Sequence, residues 1–289
     1  MKPSDFRYTV PATVDEAVSL LSREGGAGKV LAGGQSLVPL MNLRLAAPTL
    51  LVDLNRNPDL QFVRDRDDVL SIGSMTRHHE VATNALVAKR LGLLAHAASL
   101  IGYPAIRNRG TLGGSLAHAD PAAEMPLVAL TLDAELVAVG PGGRRTIPAA
   151  EFFGGFFTTA LEPAEVLTEI HFQIGGTTEP WAFKEHARKT GDFAVAAVAA
   201  TATLGGGRVQ RLRVGIAGTS DRPIRAGELE QMLTGRPLSE AREALSDGTV
   251  RKTIAAQGAG DARYDRWEVA GVLTERALAV VLAHSGGGA

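Results

Sequence analysis

The segment VLAGGQSLVPLMNLRL, Val30 to Leu45, sets two adjacent glycines and two polar residues between two strongly apolar runs. Glycine permits positive φ and lets a backbone approach a ligand with no Cβ in the way. Successive amide groups in such a turn form a concave nest that holds an anion, phosphate above all. Ser36 adds a hydroxyl donor and Gln35 an amide donor, and no acidic residue lies between Val30 and Leu45 to repel a phosphate. A plain turn accounts equally well for a lone GG-x-S, because glycine is the default turn residue. The surrounding chain has to separate the two explanations.

Upstream, Thr13-Val14-Asp15-Glu16 reads as a capping box that opens a helix through Ala17, Val18, Leu20 and Leu21, ended by Gly25 and Gly26. Lys29 to Ala32 reads as a short buried strand leading into the glycines. Downstream, Leu37 to Leu45 is apolar with a single arginine, and Leu50 to Leu54 reads as a second strand. Asn55 to Asp59 is polar, contains Pro58, and marks a junction between subdomains. Phe62-Val63 and Val69 to Gly73 are strand candidates. Thr76 is placed to cap a helix through His79, Val81 and Ala82, and Leu91 to Ile101 reads as a more apolar helix.

A second dense stretch follows, IGYPAIRNRGTLGGSLAHADPAAEMP, Ile101 to Pro126. Its glycines and prolines mark a long loop, and long loops inside a domain are usually functional or disordered. Its apolar content argues against disorder. Thr111 to Ser115 repeats the chemistry of the first loop, a hydroxyl, two adjacent glycines and a hydroxyl, with Arg107 and Arg109 just before it. Two phosphate-friendly loops far apart in sequence suit a dinucleotide, whose diphosphate is gripped from two sides. Neither loop has the G-x-G-x-x-G of the Rossmann fingerprint, and no G-x-x-x-x-G-K-[ST] occurs.

Leu127 to Val139 reads as helix or strand before a turn at Gly140 to Gly143. Composition shifts near Gly175 to Thr178, which marks a domain boundary. Beyond it come an apolar run from Phe193 to Leu204, a hairpin turn at Gly205-Gly206-Gly207, a strand through Leu212, Val214 and Ile216, a helical region from Ala226, and a glycine-rich tail, His284 to Ala289, expected to be mobile.

Global properties narrow the function. A chain of 289 residues is long enough for about two domains. With 30 basic and 31 acidic residues the net charge is −1, which offers nothing to nucleic acid or to an anionic membrane. No apolar run reaches the roughly 20 residues of a membrane span and MKPSDFRY has no signal-like apolar core, so the cytoplasm is expected. There are no cysteines, so any iron–sulfur centre must sit on another polypeptide.

Three motifs in order, AGGQSLVPLMNLRL, IRNRGTLGGSLAHADPAAEMP and FKEHARKTGDFA (Phe183 to Ala194), resemble the FAD-binding medium subunit of the molybdenum hydroxylases. That family includes carbon monoxide dehydrogenase, N-heterocycle dehydrogenases and the flavin part of xanthine dehydrogenase. The resemblance covers essentially the whole chain. It implies an α+β fold: a vanillyl-alcohol-oxidase-type (PCMH) FAD-binding domain over 1–176, with two α+β subdomains of about 1–56 and 57–176, then a small C-terminal α+β domain over 177–289.

The same resemblance implies the site. Ala32, Gly33, Gly34, Gln35, Ser36 and Leu37 would cradle the diphosphate of a noncovalent FAD, with Thr111, Leu112, Gly113, Gly114 and Ser115. Ile101 and Gly102 would line the flavin or adenine pocket, Asp120 would bind the ribityl hydroxyls, and Leu167 would pack near the isoalloxazine ring. Lys184 would sit at the ring's polar edge, where a cation favours the reduced, anionic flavin. Replacing Gly33 and Gly34 by valine is expected to abolish flavin binding and leave the chain folded. Carbon monoxide dehydrogenases of the family often have His where this chain has Gln35, which favours an organic substrate.

By resemblance the chain is an electron-transfer subunit of an oxidoreductase, with no acid, base or nucleophile of its own for the substrate. Hydroxylation would occur at a molybdenum–pterin centre in a large partner. Electrons would cross two [2Fe–2S] clusters in a small partner, reach this FAD and leave to an external acceptor, in a dimer of heterotrimers. The competing possibilities are a free-standing flavin oxidase acting directly on a small molecule, for which 177–289 is short, and a scaffold subunit without flavin.

Other residues carry plainer readings. His78-His79-Glu80 reads as a solvated helix face, since adjacent helical side chains diverge by about 100° and do not share an ion. Lys189 reads as solvated, and Trp181 and Trp267 as packing residues. No G-x-S-x-G elbow supports a serine hydrolase.

Overall fold

The computed structural model describes residues 2–174, 179–261 and 263–284. The chain begins with a three-stranded parallel sheet of β1 (Arg7–Thr9), β2 (Gly28–Leu31) and β3 (Leu50–Asp53), in the order β1-β3-β2. The helix Val14–Arg23 crosses between β1 and β2. Thr13 Oγ1 accepts the Glu16 amide at 3.1 Å, while the Glu16 carboxylate accepts the Ala12 amide at 2.8 Å. The capping box therefore closes one residue earlier than the usual pairing. Ala17, Val18 and Leu21 of this helix pack on β3, whose four residues are all buried. β1 has no signal in RYT; its parallel pairing with Leu50–Val52 makes it a strand.

The second sheet is antiparallel. β4 (Val63–Arg66), β5 (Val69–Gly73), β6 (Glu135–Gly140) and β7 (Gly143–Pro148) precede a small hairpin of β8 (Phe153–Gly155) and β9 (Thr158–Thr159). Then β10 (Val166–Gln173) inserts between β5 and β6, giving β4-β5-β10-β6-β7. The helices Gly92–Leu100, Leu112–His118 and Glu124–Thr131 share one core with β5, β6 and β10. Leu127 to Val139 is thus both helix and strand, with the change at Leu132–Ala134.

Ile101 to Pro126 is not one long loop. It holds the helices Pro104–Arg107 and Leu112–His118 and the start of Glu124–Thr131. The glycines that masked the second helix from sequence are there for packing. A Cβ on Gly113 would lie 2.4 Å from Ser74 Cβ, so the residue with the poorest helix propensity short of proline is required there.

The C-terminal sheet runs β11 (Trp181–Ala187), β12 (Ala194–Gly205), β13 (Arg208–Ala217) and β14 (Ile224–Arg225), antiparallel and in chain order. Gly206 and Gly207 turn the β12–β13 hairpin with φ of +59° and +70°, as the triple glycine predicts. β12 is buried on both faces, which explains its Ala- and Val-rich run without alternation. Ala196, Val198, Ala200 and Ala202 pack with the helices Thr249–Ala256 and Tyr264–Ala283, and Ala197 and Ala199 join the core of the preceding domain. A sheet this small needs only alanine on a face where two backbones approach closely.

A polar tie reinforces that contact. Asp133, in the left-handed region at φ +52°, takes Arg225 at 2.5 Å, Arg213 at 3.5 Å and Arg211 at 3.6 Å from β13 and β14. The boundary expected at 176/177 and the tail from 285 onward lie outside the described residues.

Candidate cofactor site

Loop one leaves β2 at Leu31 and enters the helix Leu37–Asn42. Gly34 holds φ +75°, where an L side chain is strained. Gly33 is glycine for a different reason. A Cβ there would lie 2.3 Å from the carbonyl oxygen of Arg109 and 2.7 Å from Gly110 Cα. A Cβ on Gly114 would sit 3.2 Å from Ala32 Cβ. The two glycine segments, some 80 positions apart in the chain, are therefore packed backbone against backbone. The sequence reading assigned Gly33 to a ligand; the structure shows it is needed for the second segment, so the expectation that a valine pair would leave the fold intact does not hold.

The backbone hydrogen bonds give the two segments different parts. In Leu112–Ser115 the backbone donors are spent. Leu112 donates to Thr76 O at 2.9 Å, Gly113 to Ser74 O at 2.8 Å, Gly114 to Thr111 Oγ1 at 3.0 Å and Ser115 to Thr111 O at 3.0 Å. Thr111 is the N-cap of the helix Leu112–His118 and is buried. Loop one is open by contrast. Among the described residues the amides of Gly33, Gly34, Gln35, Ser36 and Leu37 make no hydrogen bond, and the Ser36 hydroxyl caps nothing. The Gln35 side chain donates to Gly33 O at 3.3 Å. Five unbonded amides around a positive-φ glycine are the donor set that an anion nest requires.

A polar clamp that sequence reasoning missed holds the nest. Asn55 Nδ2 donates to Ala32 O at 2.8 Å and also reaches Asp53 Oδ1. Arg77 donates through Nη2 to Asn55 Oδ1 at 2.7 Å and through Nη1 to Arg109 O at 2.8 Å. The Tyr8 hydroxyl donates to Asp53. Loop one, β3 and the turn before loop two are thereby one network. The only sequence signal for it is a polar Asn two residues beyond a strand that ends in a buried Asp53. Arg107 is spent on the carbonyls of Ile101 and Gly102, at 2.9 and 3.0 Å. The Arg109 guanidinium makes no hydrogen bond or ion pair among the described residues.

The other expected residues are placed by contacts of their own. Gly102, at φ +45°, touches the C-terminal domain: a Cβ on Gly191 would lie 3.2 Å from the Tyr103 ring and 3.3 Å from Gly102 O, and the Tyr103 hydroxyl donates to Thr190 O at 3.2 Å. Asp120 follows the left-handed Ala119 (φ +52°) that ends the helix Leu112–His118. Its Oδ1 accepts the Ala122 amide at 2.9 Å, and its other oxygen is free of hydrogen bonds among the described residues. Leu167 is buried on β10 opposite Ala138, in the core that also holds Leu112 and Leu116. Lys184 lies on β11 opposite Val198, and its charge helps hold the His96 imidazole below its ordinary range, after burial. Trp181 packs beneath Gly92 and His96, and Trp267 is buried in the C-terminal core, both as packing residues.

Two buried titratable groups have strongly shifted pKa values. His78, read from sequence as solvated, is only 4% exposed, with its ring against Gly110. Helical periodicity is too short here to show which side faces inward. Burial, with Arg107 and Arg77 nearby, lowers its pKa from 6.5 to about 4. Glu124 goes the other way: burial, with Glu185 and Asp120 close, raises it from 4.5 to about 7. The signs follow by linkage. The His78 contribution is intact above pH 6.5 and is lost as pH falls toward 4, by about 3 kcal/mol in total. The Glu124 contribution is intact below pH 4.5 and is lost as pH rises toward 7. Urea unfolding at pH 7 and pH 4 will show a smaller acid-side loss in His78→Leu than in the parent chain; equal losses would exclude His78 as the cause.

A row of unbonded amides at Gly33–Leu37 and a second segment packed against them fit the diphosphate of a dinucleotide. The comparisons with known proteins agree. Residues 4–172 match the family described as the FAD binding domain in molybdopterin dehydrogenase, and 181–281 match the CO dehydrogenase flavoprotein C-terminal domain. The carbon monoxide dehydrogenase medium chain of Hydrogenophaga pseudoflava is 39% identical, over 96% of this chain and 97% of that one. Subunit alpha of the 6-hydroxypseudooxynicotine dehydrogenase complex of Paenarthrobacter nicotinovorans is also 39% identical, over 98% and 96%. The solved structure of carbon monoxide dehydrogenase from Hydrogenophaga pseudoflava, lacking the Mo-pyranopterin moiety, superposes with a TM-score of 0.92 at 38% identity, covering 98% of this chain and 99% of that chain. The chain belongs to the FAD-binding medium subunits of the molybdenum hydroxylase family, and is the flavin-carrying electron-transfer subunit of a multi-subunit oxidoreductase.

Proposed function

We propose that the diphosphate of FAD lies on the free amides of Gly33–Leu37, with Arg109 offering the nearby positive charge. Those unbonded amides are the observation that carries the assignment. Ala32 and Thr111–Ser115 wall the cradle; in the second segment the Thr111 amide and the Ser115 hydroxyl remain able to donate. Ile101 and Gly102 line the pocket, the free oxygen of Asp120 meets the ribityl hydroxyls, Leu167 backs the ring, and Lys184 places a cation at its polar edge. FAD, when bound, exchanges electrons singly and stores two. This chain's residues bind it, orient it and exclude water from it.

The chain divides at 176/177, a division supported by the two matched segments, 4–172 and 181–281. It works with a large molybdenum–pterin subunit and a small iron–sulfur subunit, as a dimer of heterotrimers in the cytoplasm, and hands electrons to an external acceptor. The absence of cysteine supports clusters on a partner, and among the described residues no helix is long and apolar enough to cross a membrane. Near end-to-end likeness to medium subunits disfavours a free-standing oxidase. The two relatives at equal identity act, by name, on carbon monoxide and on 6-hydroxypseudooxynicotine; Gln35 tilts the choice toward an organic substrate.

The test is a visible spectrum of the purified chain followed by acid precipitation. Yellow protein releasing FAD to the supernatant is expected. A chain that stays colourless with added FAD would exclude the cofactor site, and colour held in the pellet would mean a covalent flavin. Arg109→Ala should weaken FAD about fivefold, about 1 kcal/mol, as suits an exposed ionic contact. Titration at low and high salt checks this; a salt-independent loss would remove Arg109 from the phosphate.

A further inference from the structure

The small hairpin β8–β9 turns through Phe156 and Phe157, and Phe157 sits in the left-handed region at φ +51°. Tight hairpin turns place glycine, Asn or Asp at such positions, and a bulky residue there is an outlier. Glycine stands two positions earlier in the same hairpin, at Gly155. Phe157 is 57% exposed, so burial of its ring does not account for the strained backbone. Strain of this kind persists where the surroundings over-determine it, and it clusters at ligand sites. The contact that the strain provides is with His118. The two ring centroids are 5.0 Å apart, with the planes tilted by 38°.

The surroundings do over-determine the hairpin. Arg222 Nη1 donates to Gly154 O at 3.4 Å, and a Cβ on Gly155 would lie 3.3 Å from Asp221 Oδ2. At the head of that same loop after β13, the Gly218 amide donates to Pro121 O at 2.9 Å. Hairpin, loop and the turn from His118 to Pro121 therefore meet. His118 closes the helix Leu112–His118, whose Gly114 abuts Ala32. The helix rises roughly 6 Å from Gly114 to His118, so the imidazole stands about one turn beyond the residues that wall the diphosphate. Its ring nitrogens make no hydrogen bond among the described residues. Burial holds it below the ordinary histidine range, against Asp120, which raises it. A neutral imidazole offers one donor and one acceptor.

We propose that Phe157 is a positioning residue for the cofactor: its ring holds the His118 imidazole beside Asp120, and imidazole and carboxylate together take the ribityl hydroxyls. The proposal rests on the reading of Asp120 as the ribityl ligand and adds two residues to that site. A carboxylate only accepts, and one oxygen of Asp120 already takes the Ala122 amide. Hydroxyls both donate and accept, so a polyol chain held by Asp120 alone would leave acceptors unanswered. His118 supplies the missing donor, and the stack fixes where that donor points.

The experiment titrates the flavin-free, full-length chain with FAD and with ADP, which shares the adenosine diphosphate and lacks the ribityl chain. His118→Leu and Phe157→Ala are each expected to weaken FAD roughly tenfold and to leave ADP within about twofold. A folding defect would weaken both ligands alike, so retained ADP affinity reports an intact nest. Phe157→Gly suits the φ +51° backbone and removes the ring without strain, and it should behave as the alanine variant does. Phe157→Tyr keeps the ring and should restore FAD. Phe156→Ala removes an equally exposed ring that stacks on nothing among the described residues, and should change neither ligand. The His118→Leu/Phe157→Ala pair should lose no more than His118→Leu alone, because one residue acts through the other. Unchanged FAD affinity without the Phe157 ring, equal losses for FAD and ADP, or additive losses in the pair would overturn the proposal. A parent chain that does not take FAD would instead overturn the reading of the cofactor site.

Discussion

Gly33→Ala is expected to strip the protein of FAD and to lower its stability by about 2–4 kcal/mol. The added methyl would meet the Arg109 carbonyl oxygen at 2.3 Å and Gly110 Cα at 2.7 Å. Both are backbone atoms, and neither can swing away as the end of a side chain can. Relief requires the two glycine segments to separate, which breaks the Arg77 and Asn55 bonds that span them. Gly34→Ala provides the contrast. Its obstacle is the end of Val38, at 3.2 Å, together with strain at φ +75°, so the fold should lose only about 1 kcal/mol. Thermal melts with the flavin-to-protein absorbance ratio check both. Equal effects of the two substitutions would mean that Gly33 is not held by loop two.

Arg77→Ala should cost about 2–3 kcal/mol and weaken FAD at least tenfold without touching the ligand. The guanidinium supplies donors to Arg109 O and to Asn55 Oδ1 at the seam. Its removal leaves both acceptors without their partner, and a desolvated acceptor left unpaired costs more than the bond was worth. Half-burial already lowers the Arg77 pKa, with Arg109 adding to the effect, so the site is partly desolvated. Asn55→Ala should cost less alone, and the double variant should lose clearly less than the sum, because the two residues act through one network. Urea unfolding of the four chains measures the coupling. Strict additivity would show that Arg77 and Asn55 do not share the clamp.

Local signals were legible wherever their cause was local. Thr13 and Glu16 cap a helix through groups three residues apart, the triple glycine turns its hairpin, and the apolar run after Phe193 is a strand. Gly33 and Ser36 were legible as parts of one tight turn because the composition of a turn is contiguous. The Asn55–Arg77 clamp was not, since each partner is an ordinary polar residue until the fold sets 22 positions of separation within hydrogen-bond reach. His78 escaped for a similar reason: its helix is six residues long, too short for a period to show its inner face.

From its order of residues alone this chain declares two glycine-rich segments, a helix-and-strand opening, an apolar run rich in alanine and valine, and no thiol for a cluster. It cannot declare which segment keeps its donors. That depends on the carbonyls of Ser74 and Thr76, which reach the amides of Gly113 and Leu112 only after β5 and the helix beyond it have packed. Loop one meets no such acceptors and stays open. A hydrogen bond consumes a donor wherever the acceptor lies in the sequence, so which glycine segment keeps its amides open is settled by distant neighbours.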